Sequence, residues 1–335
     1  MREPMTEPHN GGSESSPYSV QVLGPAILAA HERMSGAVRR TPSEEISDLF
    51  PESGCRIFAK LENEQETGSF KLRGATNRIL QLTPQQMKCG VVTASNGNHG
   101  LGVAAAAKRL GISAHVYVSA QVAPQKARRI EEYGASIQRA GADPLDAELT
   151  ARNSAIDSGR LYISPYNDRD VLAGQGTIAV ELLQQVPRLD AVFVAVGGGG
   201  LIGGIGAYLK YASPHTEVVG CWPLNSPVLY QALKAGWMLP VDEKPTLSES
   251  TSGALEEGAI TLEVCSHVID SCVLVSEDEI LDSMRLVHRA RQWRIEGAAG
   301  VALAAFATTA ARYRGKTVAV VICGGNLSER VRGLL

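Results

Sequence analysis

One lysine, Lys71, stands behind a small-residue turn, Gly68-Ser69, and an aromatic residue, Phe70. Apolar residues at helical spacing follow it: Leu72, Ala75, Ile79 and Leu80. The pattern predicts a loop that delivers Lys71 to the first turn of a helix over 71–81. A helix N-terminus is electropositive, so the neutral amine gains over the ammonium there. A partly buried lysine at that place has a lowered pKa, as a Schiff-base lysine needs. A surface lysine at a helix start fits the same residues, since lysine is seldom buried.

Three further stretches change that balance. Ser95-Asn96-Gly97-Asn98-His99-Gly100 follows a strand over 90–94 as a tight polar turn, with a helix over 101–110 behind it. Gly197-Gly198-Gly199-Gly200 follows a continuous apolar strand over 191–196 and precedes a helix over 201–211. Cys323-Gly324-Gly325-Asn326 closes the last strand, 316–322. In open parallel sheets, ligands bind at the carboxyl ends of strands. Four glycines between a buried strand and a helix turn several backbone N–H groups inward, and the helix dipole adds positive charge. That is an anion site, with phosphate its natural occupant. The stretch also satisfies the dinucleotide pattern Gly-x-Gly-x-x-Gly, from Gly198 to Gly203. That pattern requires an acid closing the next strand, and here Cys221-Trp222 stands there, with Glu217 at the strand's start.

The elements that position these loops alternate along the chain. Strands are predicted over 56–61, 114–118, 136–139, 161–163, 217–222 and 273–275, with helices over 22–37, 124–133, 144–158, 171–185, 226–236, 277–292 and 298–313. Such alternation argues for parallel, doubly wound α/β architecture. The stretch 242–258 is polar and irregular and reads as a loop.

The chain's 335 residues, 44% of them hydrophobic, suffice for a large core split between two domains. Its 32 basic and 35 acidic residues leave a net charge of −3, without a basic stripe for nucleic acid. Six scattered cysteines form no Cys-x-x-Cys pair, which argues against disulfides and zinc and for a reducing cytoplasm. No apolar run of about 18 residues predicts a membrane span. Residues 1–17, rich in Glu, Pro, Gly and Ser, read as a disordered leader and not as a signal peptide.

Together, Gly68-Ser69-Phe70-Lys71 with Arg73-Gly74, the 95–100 turn, the glycine loop and the Cys323 loop resemble the fold-type-II pyridoxal-phosphate enzymes. The resemblance runs from about Arg40 to Asn326 and is closest to the serine/threonine dehydratases and serine racemases. It implies a tryptophan synthase β-like fold: two doubly wound parallel-sheet domains with pyridoxal 5'-phosphate between them. Residues 18–85 and 165–335 would form the large domain and 86–164 the small one. Lys71 would carry the cofactor covalently and act as base at Cα. Phe70 would pack on the cofactor ring, Asn98 would bond its 3′ oxygen, and Gly197, Gly198, Gly199 and Gly200 would hold its phosphate. Cys323 would face the pyridine nitrogen; Ser95, Asn96 and Gly97 would hold the substrate carboxylate. His99 reads as a packed structural histidine, since Lys71 already supplies base function.

A thiol at the pyridine nitrogen is a weak donor or acceptor and cannot force protonation as a carboxylate would. That favours prompt loss of a β-hydroxyl, and the implied function is dehydration and deamination of a β-hydroxy amino acid, such as L-threonine or L-serine. Racemases of the group carry a serine where Asn96 stands, and an amide cannot take that proton. Metal-dependent members carry acids where Trp222 and Val228 stand, so no metal site is expected. With Leu335 following soon after the Cys323 loop, the regulatory domain of biosynthetic threonine deaminases, and feedback control by that route, are not expected. An amino-acid racemase, an NAD-dependent oxidoreductase and a catalytically dead sensor are the competing readings. The partner expected is a small amino acid, with neither nucleic acid nor membrane, in a cytoplasmic homodimer.

Overall fold

The computed structural model describes residues 16–142 and 144–335. Up to residue 15, the leader expected over 1–17 lies outside them. In chain order, α1 (Val20–Arg33) and β1 (Ser43–Glu45) lead to β2 (Arg56–Leu61), α2 (Lys71–Ile79) and α3 (Pro84–Cys89). Next come β3 (Val91–Ala94), α4 (Asn98–Arg109), β4 (Ala114–Val118), α5 (Pro124–Glu132), β5 (Ser136–Arg139), α6 (Pro144–Ser158) and β6 (Leu161–Tyr162). Then follow α7 (Arg169–Gln185), β7 (Ala191–Ala195), α8 (Gly200–Ala212), β8 (Glu217–Pro223), α9 (Val228–Ala235) and α10 (Ile260–Val268). The chain closes with β9 (Ser271–Val275), α11 (Glu277–Arg291), α12 (Gly297–Thr309), β10 (Thr317–Ile322) and α13 (Glu329–Arg332).

Strands built of unbroken apolar runs need cover on both faces, which parallel sheets provide. They assemble into a six-stranded sheet in the order β1-β2-β10-β7-β8-β9 and a four-stranded sheet in the order β5-β4-β3-β6. All neighbours are parallel except β1, which pairs antiparallel with β2. The large core lies around β7, where Phe193 meets Phe306 and Tyr313 edge to face at 5.5 and 5.2 Å. A second apolar cluster joins the smaller sheet to α2 and α4 through Leu72, Ala75, Ile79, Val103 and Val116.

Four buried charges fix where α2 starts. Arg73 on α2 reaches Glu62, just past β2, at 2.8 Å and Glu181 on α7 at 2.7 Å; Lys60 on β2 reaches Glu181 at 2.5 Å. Two cations and two anions balance, and each is almost wholly removed from water.

The fold departs from the sequence reading at short elements. The helix expected from residue 101 begins at Asn98, because Gly97 takes the N-cap position. β1, α3, α10 and α13 lie outside the sequence reading; each is nine residues or fewer, β1 being held by its pairing with β2 and α3 by a capping box between Thr83 and Gln86.

Candidate active site

The loop before Lys71 and the loop after β10 are laced together. Phe70 N–H donates to Cys323 O at 3.0 Å and Gly325 N–H to Gly68 O at 2.9 Å. Lys71 is thereby held at the first position of α2, and its Nζ donates to Pro165 O at 2.8 Å. The amine sits 5.1 Å from the centre of the Phe70 ring. Burial pulls its pKa down to about 8, against the pull of Glu296 and Cys323 in the other direction. Desolvation thus leads in lowering it, where the sequence pointed to the helix end.

The glycine loop turns from β7 into α8. Gly199 adopts φ +84° and forms the N-cap of α8, with no side chain bonding the helix's first N–H groups. A Cβ at Gly198 would lie 2.5 Å from the Tyr166 ring. The loop lines a slot together with Phe70, Lys71, Asn98 and Cys323. Burial pushes the Cys323 thiol well above its ordinary pKa, so it stays neutral. The dinucleotide reading gains nothing here: Glu217, at the start of β8, accepts hydrogen bonds from Ser271 and Tyr313 at 2.7 and 3.1 Å.

Beside the slot, and sharing Lys71, Asn98 and Ser250 with it, lies a cavity of about 550 Å³. Ser95, Asn96 and Gly97 form one wall. The N-terminus of α4, capped only by Gly97, belongs to that wall and presents N–H groups to an anion. Asn96 is spoken for: its Nδ2 donates to Ser119 Oγ, and its Oδ1 accepts from Ser119 N–H, both at 2.8 Å. His99 is buried with Nε2 3.0 Å from Ile163 O, and burial drives its pKa down to about 3, so it is neutral.

Asn98 links the two spaces. Its Oδ1 accepts from Asn326 Nδ2 at 2.7 Å, and its Nδ2 donates to Glu296 Oε2 at 2.8 Å. That leaves one amide hydrogen of Asn98 unassigned. Glu296 lines the cavity and is a residue the sequence reading missed. It is buried at the N-cap of α12, and its Oε1 accepts from Ser250 Oγ at 2.8 Å. Among the described residues no lysine or arginine pairs with it, and burial raises its pKa. The available signal was a lone acid between Ile295 and the small-residue run Gly297-Ala298-Ala299-Gly300.

Trp222 and Val228 are buried, the indole centroid 5.7 Å from that of the Tyr230 ring with the planes tilted by 54°. Among the described residues no group of three His, Cys, Asp or Glu side chains is arranged to hold a metal.

A family model described as pyridoxal-phosphate dependent enzyme matches residues 34–324. The chain is 36% identical over 301 residues to the L-threonine ammonia-lyase of Thermotoga maritima, covering 90% of this chain and 75% of the relative. It is 35% identical over 302 residues to the beta-hydroxyaspartate dehydratase of Paracoccus denitrificans, covering 90% and 95%. The structure of maize serine racemase superposes with a TM-score of 0.87 at 29% identity, covering 92% of this chain and 95% of that one.

Proposed function

The chain belongs to the family of pyridoxal-phosphate-dependent enzymes, and we propose that it is a lyase that dehydrates and deaminates a β-hydroxy amino acid. L-Threonine and L-serine are its model substrates, and a 2-oxo acid and ammonia its products. The observation that favours elimination over racemisation is Asn96, whose amide is engaged at both ends by Ser119. No base faces the substrate from that position.

The residues of the slot fit the cofactor. Four glycines and an uncapped helix N-terminus suit its phosphate, and a Cβ at Gly198 would crowd Tyr166 out of place. Lys71 offers an amine depressed toward neutrality, Phe70 a ring face, Cys323 a neutral thiol and Asn98 a spare amide hydrogen. When bound, pyridoxal phosphate supplies the electron sink for the bond broken at Cα. The chain's own residues do the rest. The α4 N-terminus with Ser95 and Gly97 holds the substrate carboxylate. Lys71 takes the Cα proton, the β-hydroxyl leaves as water, and addition of water then frees ammonia and the 2-oxo acid.

In this reading the large domain comprises 18–85 and 165–335 and the small domain 86–164, with the cavity between. A cytoplasmic homodimer completes it, in keeping with the family and with six cysteines that are all free. No helix of the described residues is long and apolar enough to cross a membrane.

The test supplies L-serine or L-threonine to the cofactor-loaded protein and follows 2-oxo acid together with D-amino acid. Lys71→Ala is expected to abolish both turnover and the absorbance band at the visible edge that marks lysine-bound cofactor, with the fold intact. A variant that kept more than a trace of activity would remove Lys71 from its role.

A further inference from the structure

Loss of a β-hydroxyl requires a proton at the departing oxygen, because hydroxide is a poor leaving group. We propose that Glu296 is the acid that delivers it, an inference that rests on the lyase reading above.

The cavity offers few donors. His99 is neutral, with Nε2 at Ile163 O. Arg129 stands at the exposed rim, bonded to Asn326 at 2.8 Å. Of the two carboxyl groups lining the cavity, Glu249 pairs with Arg330 at 3.2 Å and accepts from Ser328 at 2.9 Å. Glu296 has only neutral hydrogen-bond partners: Asn98 on Oε2, and Ser250 together with the Cys323 thiol, 3.9 Å away, on Oε1. Oε2, which accepts only from Asn98, keeps a further position that an added proton can occupy. The carboxyl lies under the loop after β10, where a Cβ at Gly324 would approach it to 2.8 Å. It lines the same cavity as Lys71. Burial raises its pKa, which favours the protonated form that a donor needs.

The step balances. Lys71 gains the Cα proton. The Cβ–O bond breaks with its electron pair on oxygen, which takes the Glu296 proton and leaves as water. Lys71 then carries one proton more and Glu296 one fewer, and transfer between them restores both without any redox partner.

Glu296→Gln separates donation from structure. The amide oxygen can accept from Asn98 Nδ2, and the amide nitrogen can donate to Ser250 Oγ, so both contacts survive. The substrates are L-serine, which needs the proton, and β-chloro-L-alanine, whose chloride leaves without one. The ratio of kcat on β-chloro-L-alanine to kcat on L-serine is expected to rise about 100-fold in the variant. In the cofactor-free protein at pH 6, the infrared carbonyl band of a protonated carboxyl is expected in the wild type and missing from Glu296→Gln. An unchanged ratio, or an unchanged carbonyl band, overturns the proposal. If the variant fails to fold, the wild type alone decides: solvent deuterium is expected to slow L-serine more than β-chloro-L-alanine, and equal effects overturn the role. Wild-type protein that releases 2-oxo acid from neither substrate overturns the lyase reading itself, and this inference with it.

Discussion

At Lys71 the decisive quantity is the fraction of neutral amine. With a pKa of about 8, roughly one molecule in ten carries it at pH 7 and nine in ten at pH 9. The neutral form attacks the aldehyde, and the shift is downward, so reactivity rises with pH and levels off early. Stopped-flow mixing of cofactor-free protein with pyridoxal phosphate is expected to give capture about tenfold faster at pH 9 than at pH 7. A rate still climbing steeply above pH 10 would mean an ordinary lysine. The sequence placed Lys71 at the head of a helix, but not what covers it. The cover comes from Pro165 and the Cys323 loop, far apart in the chain. Glu296 was illegible for the same reason: its partners Asn98 and Ser250 stand 198 and 46 residues away. Asn96 could be read as an amide, though not as one bound at both ends.

Among the elements, α4 shows how a loop motif becomes a site. A Cβ at Gly97 would meet nothing within 4 Å. No neighbouring atom therefore demands glycine there; a ligand lying against the backbone would. Gly97→Ala is expected to change the melting temperature by no more than a few degrees, the N-cap preference being worth at most about 1 kcal/mol. KM for L-serine is expected to rise at least about tenfold, since a methyl group displaces the carboxylate from its N–H donors at a cost above ~1.4 kcal/mol. Unchanged KM would move the carboxylate elsewhere. The start of α2 depends instead on the buried charge quartet. Glu181→Leu leaves Lys60 and Arg73 short of a counter-charge in the interior, and urea unfolding is expected to show a loss of about 3–5 kcal/mol. None of this pairing has a local signature, for Glu181 lies 108 residues from Arg73. By contrast, long strands such as β7 and β10 carry their burial in composition and were legible. The three-residue edge strand β1, Ser-Glu-Glu, carries nothing that says strand.

On the scale of the whole molecule, the cavity lies between the two sheets, and what holds them together sets access to it. Two ion pairs run from helices of the smaller sheet to the irregular 242–258 stretch: Lys126 on α5 to Glu249 at 3.8 Å, and Arg152 on α6 to Glu256 at 2.5 Å. Gln125 and Arg129 on α5 add hydrogen bonds to Glu329 and Asn326 at 3.1 and 2.8 Å. These contacts are at least partly open to water, so each ion pair is worth only about 0.2–1 kcal/mol and yields to salt. Weak contacts suit a boundary that must part for substrate and rejoin to exclude water during elimination. If they hold the closed form, raising ionic strength from about 0.03 to 0.5 M, which shortens the screening length several-fold, raises KM for L-serine. Arg152→Met is expected to raise KM by about two- to fivefold at low salt, the equivalent of ~1 kcal/mol, and to flatten the salt dependence. Steady-state kinetics of both proteins across that salt range checks this. A variant whose KM equals that of the wild type at low salt would show that the sheets meet without help from this pair. The 242–258 stretch would then be fixed by its own bonds, such as Tyr166 Oη accepting from Glu256 N–H at 2.9 Å.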